Sequence, residues 1–517
     1  MWKVFGKILS SKNGQRNVER IIVDKKVISK ELAITHEFNR YFCKIGEKIA
    51  QTFDNNLNYK SYLNNPIINY FKFFDILEQE VTSEVNKLDP KKSPGYDDIS
   101  AKFLQISKSI IIKPLTLIFN QSVSSGIYPD LLKIAKVIPV YKKGERTQLN
   151  NYRPISLTSI INKIFEKIIY KRIYKFLTKY DILYKYQFGF RKGYSTNLAL
   201  IEVIETIKAA LDKDKFVCGI FLDLTKAFDT VDHTILLDKL NHYGIKGVTN
   251  NLLRSYLQNR KQFVHLNDSQ SDQLSISCGV PQGSVLGPLL FLIYVNDIAS
   301  HSPDGSIRLF ADDTNVFINH YNLEQLFINA QSTLQYLFKW FKDNKLTVNS
   351  TKSNNTIFTA KHKRNTNQIP SVITVNNEQI QMCSSIRYLG VLIDEELNWK
   401  NQVEQVCNSI RCLFPTFYNI RQYLSIEQVK IIYYALVYSR IKYGLVVYGS
   451  ALQNVISPIQ TLQNQLLKVL TNKPYRFPTN QLHNELDILK VEDIFKQDLL
   501  TFIFNHHTGK LPMIYNN

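Results

Sequence analysis

The sequence predicts an α+β fold, and three observations carry that prediction. Phe216–Leu222 is an unbroken apolar run of strand length, the pattern of a strand covered on both faces. Two further apolar runs, Ser306–Leu309 and Val316–Ile318, flank Phe310-Ala311-Asp312-Asp313 as the arms of a β-hairpin. Helical spacing of apolar residues recurs in Glu31–Ile49, Phe165–Leu177, Val231–Tyr243 and Leu323–Phe341, and it dominates from Glu395 onward.

The whole chain sets bounds on what such a fold can do. At 517 residues there is room for about two to four compact units. The 44% hydrophobic and 12% aromatic content is that of a globular protein. With 64 Lys and Arg against 44 Asp and Glu, the net charge is +20. A balance this basic points to a polyanionic partner, nucleic acid first, although a cationic surface kept for solubility has the same composition. Cys43, Cys218, Cys278, Cys383, Cys407 and Cys412 are scattered, without the spacing of a zinc site or a disulfide framework, so a reducing, intracellular setting is expected. The longest apolar stretch, Val285–Val295, is too short to span a bilayer, and Met1–Leu9 lacks a signal-peptide core, so no membrane partner is expected.

Taken in order, residues 1–120 read as mostly helical, with Leu32, Phe38, Tyr41, Phe42 and Ile45 on one helix face. Asp89–Asp98 breaks that pattern with Pro and Gly. Its Lys91 and Lys92 suit either phosphate contact or a solvated loop. Val137–Tyr141 is strand-like and leads through Lys142-Lys143-Gly144 to Asn151–Leu157, which places basic residues, Arg153 among them, at strand tips where phosphate could be met. Gln187–Thr196 mixes aromatic, Gly and basic residues, which fits stacking on a nucleic-acid strand or an aromatic turn on a core. Cys278–Ser284 is a tight loop whose glycines permit close backbone approach and whose Gln282 can both donate and accept. It feeds a helix over Val285–Ile298. Thr356–Thr359 and Ser385–Asp394 each read as a strand.

Asp312 and Asp313 are adjacent carboxylates at a hairpin tip, and like charges so close repel unless a cation neutralises them. A divalent ion held by Asp oxygens would do so, and so would plain placement in a solvated turn. Asp223, at the end of the apolar strand, is either a cap or a ligand in a cleft. A central antiparallel sheet could bring all three together. Three carboxylates around two Mg²⁺ ions is an arrangement for in-line phosphoryl transfer.

The order Phe-Leu-Asp-Leu-Thr-Lys-Ala-Phe-Asp (221–229), Gly-Val-Pro-Gln-Gly-Ser (279–284), Phe-Ala-Asp-Asp (310–313), the Lys352 segment and Tyr-Leu-Gly (388–390) resembles a reverse transcriptase. With Tyr-Arg-Pro-Ile-Ser-Leu (152–157) and Gly-Phe-Arg (189–191) upstream, the resemblance is to the polymerase of a non-LTR, LINE-type, jockey-like retrotransposon, over about residues 85–470. It implies a right-hand polymerase of fingers, a palm with an antiparallel sheet, and a helical thumb, plus an N-terminal helical extension. Their expected bounds are 1–120 for the extension, 121–394 for fingers and palm, and 395–517 for the thumb and C-terminal region.

The resemblance also implies roles. Asp223, Asp312 and Asp313 would hold two Mg²⁺ ions, with Mn²⁺ able to substitute. Phe228, five positions after Asp223, would reject a 2′-hydroxyl, while Gln282 and Gly283 would lie against template and nucleotide. Arg153 would face the triphosphate, Lys352 would be the general acid toward pyrophosphate, and Tyr388, Leu389 and Gly390 would grip the primer end. The implied partners are an RNA template, a DNA primer strand, dNTPs and a separate endonuclease, since neither an endonuclease nor a ribonuclease H is recognisable in the chain. The family's use of chromosomal primers implies the nucleus. The competing expectations are an RNA-templated RNA polymerase, which Phe228 argues against, a group II intron-type maturase, and a catalytically inactive RNA-binding remnant.

Overall fold

The computed structural model describes residues 18–515 except 52, 54–57, 65, 303–305, 361–362, 364–371 and 376–377. The Met1–Leu9 stretch, which lacks a signal core in sequence, lies outside the described residues. In chain order the strands are β1 (Ile21–Val23), β2 (Lys26–Ile28), β3 (Ile134–Tyr141), β4 (Tyr152–Thr158), β5 (Phe216–Leu222), β6 (Arg260–Leu266), β7 (Ser269–Gln270), β8 (Leu274–Ile276), β9 (Ile307–Phe310), β10 (Asp313–His320), β11 (Asn354–Phe358), β12 (Val372–Val375), β13 (Glu378–Met382), β14 (Ser385–Tyr388) and β15 (Val391–Asp394).

A six-stranded sheet in the order β12-β13-β11-β5-β10-β9 forms the middle of the molecule. β5 runs antiparallel to both β10 and β11, and every one of its residues is buried. The reason is visible in its alternation. Phe216, Cys218, Ile220 and Leu222 join one core with the helices Ile160–Lys179, Leu286–Tyr294 and Leu323–Asp343, while Val217 and Phe221 join a second core with Thr196–Leu211 and the C-terminal helices. At Gly219 a side chain would meet the Phe358 ring at 2.9 Å and the Phe317 ring at 3.2 Å, so the strand's middle admits only glycine.

A second sheet, β4-β3-β6-β7 with β8 also on β6, lies beside it. The helix Glu31–Ala50 begins after an extended Lys30 and buries Ile34, Phe38 and Phe42. Their partners are Ala135, Val137, Tyr152, Val264 and Leu266 of this sheet. Helices Glu78–Asn86 and Lys108–Ser125 meanwhile send Val81, Val85 and Phe119 into the core of the six-stranded sheet. The described residues up to 120 therefore share cores with the sheets and helices after them, and residue 120 marks no break in packing. Lys239 and Asp297 are paired at 2.6 Å inside that region, with side chains 0% and 2% exposed.

From Lys400 the chain is helical, built on Lys400–Arg411, Ile426–Tyr433, Gln453–Leu470 and Val491–His507. Ser385–Asp394, expected as a single strand, is instead the hairpin β14–β15, with Tyr388 paired to Val391. Leu389 (φ 45°) and Gly390 (φ 86°) make its two-residue turn, the conformation in which a left-handed pair matches strand twist. Among the described residues no helix is long and apolar enough to cross a membrane.

Candidate active site

Asp223 follows the last residue of β5 and is fixed through its backbone. Its N–H donates to the Ser353 hydroxyl at 3.1 Å, and its carbonyl accepts from the Asn349 N–H at 2.8 Å. The β9–β10 hairpin pairs Phe310 with Asp313, so Ala311 and Asp312 are its turn. β10 lies on β5 in the register Thr314 to Leu222. One step further along that register, Asp313 stands opposite Asp223. The sheet has thus brought three carboxylates from two distant segments to one corner.

Their electrostatics reflect that crowding. Asp313 is exposed by surface area, yet enough protein flanks it for burial to lead in pushing its carboxyl up to about 6, followed by repulsion from Asp312 and Asp223. Asp312 is raised as well, by burial first and by Asp223, with Arg153 and Lys142 pulling the other way. Asp223 faces Lys352, whose Nζ is 3.7 Å from Oδ2.

Among the described residues no three His, Cys, Asp or Glu side chains converge closely enough to hold a metal ion. The donor chemistry fits a hard divalent cation: carboxylate oxygens only, with Asp312 and Asp313 raised by burial first and then by the neighbouring carboxylates.

Cations crowd the same corner. Burial lowers Lys142, and Arg153, Lys352 and Lys143 lower it further. Burial also lowers Lys226, aided by Lys142, Arg153 and Lys352. Four basic side chains that repel one another beside three carboxylates form a seat for a polyphosphate that carries its own cation. Lys142 lay in a strand tip already marked as basic. Lys226 was visible only as a member of the motif that begins at Phe221.

The 279–284 loop is zipped to the segment after β5. Gly279 N–H donates to the Val231 carbonyl and Val280 N–H to the Phe228 carbonyl, each at 2.8 Å. Gln282 Nε2 donates to Asp229 Oδ1 at 2.8 Å, and the Gln282 carbonyl accepts from Ser156 N–H of β4 at 2.8 Å. Gly283 sits at φ 111°, where an added Cβ would meet the Ser156 carbonyl oxygen at 2.8 Å, so the residue must be glycine. Sequence reasoning singled out Gln282 but not the Asp229 that aims it. The other unforeseen neighbour is Gly46, in the helix Glu31–Ala50. A Cβ there would fall 2.2 Å from the Asp229 carbonyl oxygen and 2.5 Å from Cys278 Sγ, so the N-terminal helix packs directly on both loops.

Phe228 is half-buried. Its ring stacks on Phe291 with centroids 4.4 Å apart and meets Phe190 edge-on at 6.1 Å. Arg153 is exposed beside Lys142 on β4.

The residues expected to grip the primer divide between core and surface. Tyr388 is only 2% exposed and packs against Phe221, so its side chain belongs to the core. The reason is the β14–β15 pairing, which turns Tyr388 inward and leaves the turn Leu389–Gly390 outside. The Tyr443 hydroxyl of the C-terminal helices donates to the Leu389 carbonyl and steadies that turn. In the C-terminal region Tyr433 and Tyr448 are likewise core, whereas Tyr418, under Arg421 at 3.9 Å, and Tyr475 are exposed.

Comparison with known proteins agrees with this geometry. Residues 140–393, which hold all three carboxylates, match the family model described as reverse transcriptase (RNA-dependent DNA polymerase). A probable RNA-directed DNA polymerase from the transposon X-element of Drosophila melanogaster is 30% identical over 424 residues, 80% of this chain and 46% of that protein. The RNA-directed DNA polymerase from mobile element jockey of the same organism is 27% identical over 445 residues, 84% of this chain and 48% of its own. Its counterpart in Drosophila funebris is 28% identical over 430 residues, covering 81% and 46%. The chain thus spans about half the length of the curated relatives it matches. On its motifs, its matched domain and these relatives, the chain belongs to the reverse transcriptase family, in the non-LTR retrotransposon branch that includes jockey.

Proposed function

We propose that the chain is an RNA-directed DNA polymerase that extends a DNA primer with dNTPs on a retrotransposon RNA template, by target-primed synthesis at a nicked chromosome. The carrying observation is the corner where Asp223, Asp312 and Asp313 meet Lys142, Arg153, Lys226 and Lys352. On this reading the six-stranded sheet is the palm, the β3–β4–β6 sheet belongs to the fingers, and the helices from Lys400 are the thumb.

The residues divide the work. Asp223, Asp312 and Asp313 would hold two Mg²⁺ ions, or Mn²⁺ in their place. Such ions, when bound, make the primer 3′-hydroxyl easier to deprotonate and offset charge on the departing pyrophosphate. Arg153, Lys142 and Lys226 receive the triphosphate, since a mutually repelling cation group binds an anion more strongly than isolated lysines do. Lys352, whose Nζ lies 3.7 Å from Asp223 Oδ2, would protonate the pyrophosphate oxygen as it leaves. Gln282, aimed by Asp229, lies against the nucleotide, and Phe228 bounds its sugar. The Leu389–Gly390 turn meets the primer end. Work at chromosomal DNA implies the nucleus, where an endonuclease activity would open the priming strand.

Extension of a 5′-labelled DNA primer annealed to RNA, with Mg²⁺ and dNTPs, tests the proposal. RNA binding without extension would overturn it in favour of a binding remnant. Binding should weaken steeply with salt, because it rests on phosphate contacts.

A further inference from the structure

The turn that presents Asp312 and Asp313 is strained. Ala311 has φ 57°, a left-handed conformation that a Cβ disfavours, in a two-residue hairpin turn where glycine or asparagine is the usual occupant. Something must hold it there, and the contacts identify the holder. Gln187 is 2% exposed, and its Oε1 accepts from the Ala311 N–H at 3.0 Å and from the Gly189 N–H at 2.8 Å. Its Nε2 reaches the Ala311 carbonyl at 3.5 Å, a longer contact. One amide side chain thus grips both polar groups of the strained residue.

The surroundings leave the turn little freedom. The backbone of 186–188 runs along β9, with Leu309 N–H donating to the Tyr186 carbonyl at 3.0 Å and Phe188 N–H to the Leu309 carbonyl at 2.8 Å. At Gly189 an added Cβ would stand 2.3 Å from the Ala311 nitrogen, so the segment presses directly on the turn. Beneath it, Phe310 and Leu389 both pack against the buried cluster of Phe188, Leu198 and Ala199.

We propose that Gln187 is a positioning residue for catalysis: it clamps Ala311 in the left-handed conformation that sets the Asp312 and Asp313 carboxylates at the corner with Asp223. This rests on the polymerase reading above, because it concerns the same carboxylates. It assigns the Gln187–Thr196 segment a structural grip on the catalytic turn in addition to any nucleic-acid contact.

The test is Gln187→Met, which keeps the length of the side chain and removes its hydrogen bonds, read in two ways. Hydrogen exchange of the peptide containing Ala311 should speed by at least about tenfold, because a held amide is released to local opening. Single-nucleotide incorporation should slow about 10²-fold, the cost of misplacing reacting groups by about 1 Å, with primer–template affinity within about twofold. Adding Ala311→Gly, which makes φ near 57° free of strain, should recover at least about tenfold of that rate. Unchanged exchange would overturn the proposal. So would a rate that falls only with the melting temperature and is not recovered by Ala311→Gly, since that is a merely structural role. Gln187→Glu keeps the acceptor oxygen and should keep exchange slow; fast exchange there would overturn the clamp even if Gln187→Met does not fold. If the unmodified chain extends no primer, the polymerase reading falls, and the exchange measurements alone still decide the clamp.

Discussion

Two acidic sites serve the central sheet in different ways. Behind it, Asp297 lies 2.6 Å from the Lys239 ammonium, which also donates to the Tyr294 carbonyl at 2.6 Å and sits over the Tyr294 and Trp340 rings. At its edge, Asp312 and Asp313 face each other and Asp223 with only partial compensation, and their carboxyls are held above their ordinary range. The buried pair is neutral as a unit. The edge cluster sets like charges side by side, and burial together with their repulsion raises Asp312 and Asp313. A carboxylate whose charge is matched within the protein contributes to holding the fold; one whose charge is unmatched is a receptor for something from outside.

The strongest challenge to that contrast is removal of charge at the edge. Asp312→Asn or Asp223→Ala should cut primer extension by about 10³-fold or more, the scale of losing a metal site's several kcal/mol of transition-state stabilisation. RNA binding should persist. Asp312→Asn should leave the melting temperature unchanged or raised, because it relieves repulsion. A variant that extends primers normally, or that melts far below the parent, would put this carboxylate in the structural class.

The buried pair should answer in the opposite way. Asp297→Ala strands the Lys239 ammonium where burial already lowers its proton affinity, and breaking such a pair costs roughly 3–5 kcal/mol. Urea melts measure this, and extension per folded molecule should be unchanged. The double variant Lys239→Met with Asp297→Leu should recover much of the loss, since apolar residues of similar volume remove both charges together.

How far was this contrast legible in the sequence? The strand ending at Asp223 and the hairpin carrying Asp312 and Asp313 were, because a doubly buried strand is continuously apolar and a hairpin is marked by its own two arms. Lys239 and Asp297 were not singled out, since nothing local distinguishes a lysine that finds a buried partner 58 residues away in sequence from one on a solvated helix face. The same limit hid Asp229 behind Gln282 and Gln187 behind Ala311, where the information lies in which segments meet. The burial of Tyr388 was hidden for a different reason. Ser385–Asp394 alternates well enough for one long strand, and only the left-handed Leu389–Gly390 pair splits it into a hairpin that turns the tyrosine inward.

Acid separates the two sites more gently. Asp313 titrates near 6 rather than the ordinary 3.8, so between those values the native protein holds a proton that the unfolded chain has lost. The stability cost of ionising this group is therefore absent below about pH 4 and complete above about pH 6. Accordingly, Asp313→Asn should raise the melting temperature more at pH 7.5 than at pH 4.5. Activity runs the other way. Protonated Asp313 cannot ligate a cation, so kcat/KM should fall about tenfold per pH unit below a break near pH 6. That break should move lower as Mg²⁺ is raised, because metal and proton compete for the carboxylate. A flat profile between pH 5 and 7 would remove Asp313 from the working cluster.

The smallest expected effect concerns a residue that sits between the two classes. Phe228 stacks on Phe291, which is core, and meets Phe190, which is 49% exposed. One side of its ring therefore belongs to the fold and the other meets an exposed ring. Its backbone carbonyl accepts from the Val280 N–H, two positions before Gln282, which joins the ring's segment to the 279–284 loop. A ring held that firmly can exclude a 2′-oxygen by contact while a deoxyribose packs against it. Phe228→Ala should then narrow the preference for dGTP over GTP on one RNA template by at least tenfold in kcat/KM, about 1.4 kcal/mol. If the ring were only core, the same change would lower stability by roughly 3–5 kcal/mol and leave sugar choice alone. Phe228→Tyr supplies the control: it keeps the stack on Phe291, so selectivity should stay near the parent's. A lowered melting point with an unchanged dGTP-to-GTP ratio in Phe228→Ala would move this residue to the structural side of the comparison.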